Sequence, residues 1–391
     1  MKLQPIFNLP LFNLGFRAFF ALAGFSALTL IVLWSAMIDG DLAHENYFSQ
    51  NYWHAHEMLL GYSVAVIAGF LLTAVKNWTG KPTLTGDQLA GLCLLWLYGR
   101  IVPFYEGLLP NELIALIDFA FLPVLAYQII KPILQVGQYR NLVFVALLLV
   151  LALGNGLVHA EILGFQENTA WLGIELVVAT IIIMILVVAG RVFPFFTERG
   201  LPGTLTIKNP LFDTLSIVAA VLVFALELAD ISGTILALAA LFAVVANVAR
   251  LSGWYVQKIW YVPLLWVLYV GYGWIILGFG LTVFSAYELI AASLALHAFT
   301  LGGIGVLTLG MMARVSLGHT GRALRVSNAM AIGFVFINMA AVCRVLLPVV
   351  LPGWYNLLVY VSTFAWLAAF SLFVFVYSPI LTSVRADGQD G

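Results

Sequence analysis

The chain has 391 residues, of which 63% are hydrophobic and 9% charged, and 17 Lys and Arg stand against 18 Asp and Glu for a net charge of −1. An ordinary soluble domain is about 25% charged, so a cytosolic enzyme is excluded, and the near-neutral balance gives nucleic acid nothing to bind. Cys93 and Cys343, the two cysteines, both sit in apolar runs. They argue against a disulfide framework, and no C-x-x-C-H is present for covalent haem attachment.

The first twenty residues, MKLQPIFNLPLFNLGFRAFF, lack the charged start, apolar core and small-residue cleavage order of a removable signal, so the first helix is predicted to stay. A membrane crossing takes about 20 apolar residues. Breaking the apolar runs at Pro, Gly and charged clusters predicts twelve helices: 12–38, 53–76, 87–105, 111–131, 141–162, 168–194, 210–229, 232–251, 260–283, 286–313, 327–350 and 354–379. The fold class is therefore all-α and polytopic, with the lipid bilayer as solvent and 1–391 as a single transmembrane domain. With both termini cytoplasmic, fifteen of the seventeen basic residues fall on the inner side, a strong positive-inside signal. Arg100 and Arg344 are the two exceptions.

A repeat is legible in the helix ends. Arg191 to Thr197 and Arg314 to Thr320 share R-V-x-x-x-x-T, 123 residues apart, and Lys76-Asn-Trp-Thr-Gly80 is related text. Arg100-Ile-Val-Pro103 and Arg344-Val-Leu-Leu-Pro348 lie 244 apart, about twice that interval. The spacing suggests three four-helix units, the middle one lacking its arginine; recurring basic helix ends are the plainer explanation.

Histidines are the most informative residues. His54 and His56 open the second helix in Trp53-His-Ala-His-Glu57-Met58. At roughly 100° per residue, positions two apart point in nearly opposite directions. On a helix the pair suits two centres better than one; in a loop it could converge. Glu57, three residues after His54, shares its face and suits the role of orienting that imidazole. His159 is placed near the outer end of the fifth helix, His297 about eleven residues into the tenth near mid-bilayer, and His319 in a cytoplasmic turn; His44 lies in an outer loop. Neutral imidazole is a common ligand for iron and copper, and intramembrane histidines are costly to keep. We therefore take His54, His56, His159, His297 and, with less weight, His319 as candidate ligands. Hydrogen bonding across helices is the alternative for any one of them.

A buried arginine needs an anion. Propionates of a non-covalent b-type haem would meet that need at Arg100 and Arg344. So would Glu57, Asp118, Glu161 or Glu227. The small residues Ala295, Ala298, Gly302, Gly303 and Gly305 around His297 would admit a macrocycle or a neighbouring helix. Asp118 and Glu175 are candidate proton relays.

The segment Trp53-His-Ala-His-Glu57-Met58, with Ala68-Gly-Phe-Leu-Leu-Thr-Ala-Val-Lys-Asn-Trp-Thr-Gly80, resembles the NnrS family. Gly190-Arg-Val-Phe-Pro194 and Met311 to Arg322 resemble further parts of the same pattern. The resemblance implies a bacterial inner-membrane protein that contains haem and copper and is linked to nitric oxide resistance. It leaves open whether the protein is an oxidoreductase acting on nitric oxide or a non-catalytic sensor or scavenger. Turnover would need an electron donor, and no donor-binding domain is visible. A twelve-helix transporter is the competing class; a carrier would show interrupted helices at matching places in two halves. An optical Soret band separates the haem readings from transport.

Overall fold

The computed structural model describes residues 9–40, 42 and 47–389. His44 and Lys2 lie outside the described residues. Twelve helices follow the predicted spans in order: α1 Gly15–Asp39, α2 Gln50–Thr79, α3 Gly86–Ile101, α4 Asn111–Gln135, α5 Leu142–Ile162, α6 Ala170–Gly200, α7 Pro210–Leu228, α8 Thr234–Trp254, α9 Pro263–Ser285, α10 Ala292–His319, α11 Asn328–Val350 and α12 Tyr355–Thr382. No strand occurs among the described residues, and eleven helices are long and apolar enough to cross a membrane. The chain is a multi-pass membrane protein. The remaining helix, α3, has 16 residues and continues into a 3-10 turn at Val102–Tyr105.

Local chemistry explains the helix ends. Pro210 starts α7 behind Asn209, whose side chain accepts from the Leu211 N–H at 2.9 Å. Ser327 caps α11 by accepting from Met330 N at 3.2 Å. Gly80 closes α2 in the left-handed region at φ 66°, where a side chain would be strained. The tenth helix departs from expectation. Residues 286–291 form a turn, with Glu288 at φ 58°, so the helix starts at Ala292 rather than 286. His297 therefore lies in the second turn of this helix, not about eleven residues into it.

Three helices contain π-helical segments: Glu57–Ser63 in α2, Ala298–Gly305 in α10 and Val342–Leu346 in α11. Such widened turns re-aim side chains and are frequent at functional sites.

The contacts group into two compact units. The first comprises residues 1–177, 315–323 and 373–391. Within it α1 packs along α2, with Gly15 against Leu72 and Gly69 against Phe19 and Phe20, places where a methyl group would already collide. Gly154 of α5 and Gly173 of α6 bring two backbones together, since a Cβ on Gly173 would lie 2.4 Å from the Gly154 carbonyl oxygen. Small residues at such crossings are the usual route to close packing in membranes. The fully buried Arg17 donates to the Leu381 and Ser383 carbonyls at 2.9 and 2.7 Å.

The second unit comprises residues 178–314 and 324–372. Here α8 packs between α7 and α9. The buried Arg250 donates to Asp213 Oδ1 at 2.7 Å and the Leu186 carbonyl at 2.9 Å, and lies 4.8 Å from the Trp254 ring. Gly302, Gly303 and Gly305 seat Trp274, Ile275 and Trp366. A neighbouring side chain, rather than an open slot, fills the space beside the small-residue run.

Candidate metal centre

The site lies in the first unit, where α2, α3, α4 and α5 meet. α2 is helical through both of its histidines, so their side chains diverge. His54 stacks on Trp34 with ring centroids 4.2 Å apart. His56 is fully buried and turns towards α4 and α5, with Phe48 covering its ring at 4.3 Å.

From α5 come His159 and Asn155, four residues apart and therefore on one face. From α4 comes Asp118. His159 Nε2 lies 2.9 Å and His56 Nε2 3.2 Å from the same oxygen, Asp118 Oδ2, and Asn155 Nδ2 donates to it at 2.9 Å. One ligand atom from each of His56, Asp118 and His159 lies within 4.8 Å of the others, and all three residues are buried.

The distal ring nitrogens are held as well. His56 Nδ1 bonds Glu57 Oε1 at 3.1 Å, and His159 Nδ1 bonds the Tyr47 hydroxyl at 3.0 Å. Glu57 thus orients His56, not His54 as the three-residue spacing suggests. The carboxylate reaches back one position at the point where the helix widens into its π-turn. Burial pushes the Tyr47 phenol well above its usual pKa, which keeps it a neutral O–H. Each imidazole is therefore gripped at Nδ1 while Nε2 faces a shared carboxylate, the arrangement by which outer partners orient metal-ligating histidines.

Arg100, at the end of α3, joins the network. It donates to Glu57 Oε1 at 2.8 Å and to Asp118 Oδ1. Its charge is met by two protein carboxylates, so this arginine needs no propionate. His56 faces acceptors at both nitrogens, Glu57 Oε1 on one side and Asp118 Oδ2 with Asn155 Oδ1 at 3.0 Å on the other. A neutral imidazole has one N–H to give. One of these two contacts therefore suits a metal cation or an added proton. Beside the cluster, Trp53 Nε1, Glu57 Oε2 and Arg100 Nε are buried with no hydrogen-bond partner among the described residues.

The other predicted residues do not join this cluster. His297 is half-buried in the second unit, its Nδ1 bonded to the Ser293 carbonyl at 2.7 Å. Arg344 lies over the Tyr355 ring at 5.3 Å. His319 ends α10 at the opposite end from His297, 5.7 Å from the Phe16 ring, and its carbonyl accepts from Arg385. Sequence reasoning passed over Asn155 and Tyr47 and did not make Asp118 a ligand. The i, i+4 spacing of Asn155 and His159 was a usable signal; the loop residue Tyr47 carried none.

Membrane-length helices around a buried imidazole–carboxylate cluster define a polytopic membrane protein with a candidate metal centre. The sequence model of the NnrS protein family matches residues 10–385, nearly the whole chain. The chain belongs to that family, membrane proteins of the nitric oxide response. No curated protein sequence matches it.

Proposed function

We propose that the protein is a haem- and copper-binding protein of the bacterial inner membrane, which binds or redox-processes nitric oxide at the His56–Asp118–His159 centre. The observation that carries the reading is the convergence of two Nε2 atoms on one buried carboxylate oxygen, with both Nδ1 atoms held by Glu57 and Tyr47. Two imidazoles and one carboxylate suit copper or iron, and a cation answers the contact at His56 that a neutral imidazole cannot fill. Copper so held would offer nitric oxide an open coordination position and a one-electron couple. The chain's own residues do the rest. Tyr47 and Glu57 fix the imidazoles, Arg100 bridges both carboxylates, and Phe48 keeps water from His56.

Haem b belongs to the same reading through His297. Its Nδ1 is tied to Ser293, which leaves Nε2 as the ligating atom, and no C-x-x-C-H would bind the haem covalently. Electrons would come from a separate donor.

Metal analysis of the purified full-length protein, an optical spectrum and a nitric oxide titration test the proposal. It expects copper that is lost in His56→Ala and His159→Ala, a Soret band whose pigment acidified organic solvent extracts, and a spectral change on adding nitric oxide. Metal-replete protein with neither copper nor pigment refutes it and favours the transporter class.

A further inference from the structure

The early and late parts of the chain repeat one device. His56 and His297 are 241 residues apart, and each is followed at once by a π-helical segment, Glu57–Ser63 and Ala298–Gly305. The same interval relates Gly61 to Gly302, Gly69 to Gly310 and Thr79 to Thr320. It also relates Gly80 to Gly321, at φ 66° and 70°. At an interval of 244, Arg100 matches Arg344, and the first residue of α4, Asn111, matches the first residue of α12, Tyr355.

What differs between the copies is the counter-charge. Glu57 becomes Ala298 in the shared register, and Asp118 becomes Ser362, whose hydroxyl is already given to the Ala340 carbonyl at 2.9 Å. Arg344 is therefore left without either carboxylate. Its Nη1 is buried and has no partner among the described residues, and no ion pair to it is formed there. The helix start that carries His297 packs against the π-turn that carries Arg344. A guanidinium cannot discharge, and an uncompensated one in a membrane is costly.

We propose that Arg344, beside His297, is a binding site for an anion from outside the chain. A carboxylate or small oxyanion there takes the place that Glu57 and Asp118 fill around Arg100. Bidentate acceptance by a planar guanidinium is the matching chemistry. The inference does not rest on metal at His56. It meets the haem reading where the anion is a propionate.

Thermal unfolding of the full-length protein at low ionic strength tests it, since a ligand bound only by the folded state raises Tm saturably. The probes are sodium acetate, sodium nitrite, haem b, and nanodiscs of phosphatidylglycerol against phosphatidylcholine. Wild type should respond saturably to at least one. A response to acetate or nitrite marks a free-anion site, one to haem alone a propionate site, and one to phosphatidylglycerol alone a headgroup site. Arg344→Gln should abolish the saturable response, and Arg344→Lys should keep it with about tenfold weaker affinity. Ala298→Glu, which restores the carboxylate of the first copy, should compete with the anion and weaken the response at least tenfold. Metal content at His56 should be unchanged in all three. No response to any probe, or the same response in Arg344→Gln as in wild type, overturns the proposal. If Arg344→Gln does not fold, an Ala298→Glu variant that binds like wild type overturns it instead.

Discussion

Replacing Arg100 by leucine removes the only Arg or Lys among the described residues that touches Glu57 and Asp118, whose side chains are each 1% exposed. At 2.8 Å the Glu57 contact corresponds to about 6 kcal/mol of gross attraction at an effective dielectric of 20. Desolvation offsets most of that. The lasting penalty is two buried carboxylates without their counter-ion, and breaking a buried pair from one side costs roughly 3–5 kcal/mol. The folded population should therefore fall by about two to four powers of ten relative to the unfolded one. Equilibrium unfolding by sodium dodecyl sulfate in mixed micelles reads this directly. Arg100→Lys keeps the charge without the two-pronged geometry and should fall between. The triple change Arg100→Leu, Glu57→Gln, Asp118→Asn removes the orphaned charges and should recover at least half of the loss. An Arg100→Leu protein within about 1 kcal/mol of wild type, the size of an ordinary substitution, refutes the reasoning. So does a triple variant no more stable than the single one.

Four further outcomes are expected. His54→Ala and His319→Ala should retain the metal that His56→Ala and His159→Ala lose, because neither ring approaches Asp118; elemental analysis of the four proteins decides it. Tyr47→Phe deletes the hydroxyl at His159 Nδ1 and should weaken metal affinity by about 10- to 100-fold while leaving the protein folded, as a chelator competition would show. Gly173→Val drives a side chain into the Gly154 carbonyl and should cost about 1–3 kcal/mol, displacing His159 one turn away; an unchanged unfolding midpoint would contradict that contact. Arg385 holds the Asp387 carboxyl down to about 2 by hydrogen bonding. A lowered carboxylate pKa stabilises above the ordinary value and stops doing so as pH falls through the lowered one. The C-terminal pairing should thus persist from neutral pH to pH 4, with constant protease resistance of the tail; loss near pH 5 would refute it.

The sequence by itself determined the membrane class and the helix order. Apolar run length reports helices because each crossing must be apolar over its own length, and that information is local. It also made the two outer arginines stand out and fixed the angle between His54 and His56 for a helix, while the structure supplied the finding that the stretch is helical. Only the tertiary structure decided which groups meet. Asp118 could have served Arg100, a proton path or nothing; packing of α3, α4 and α5 brings it to both His56 and His159. The same reason explains the fate of Glu57. Spacing assigned it to His54, but a π-turn, invisible to a 3.6-residue period, and the position of Arg100 turn it to His56. Distances along one helix are written in the chain, whereas distances between helices are fixed by glycine contacts such as Gly154 against Gly173, which depend on both partners at once.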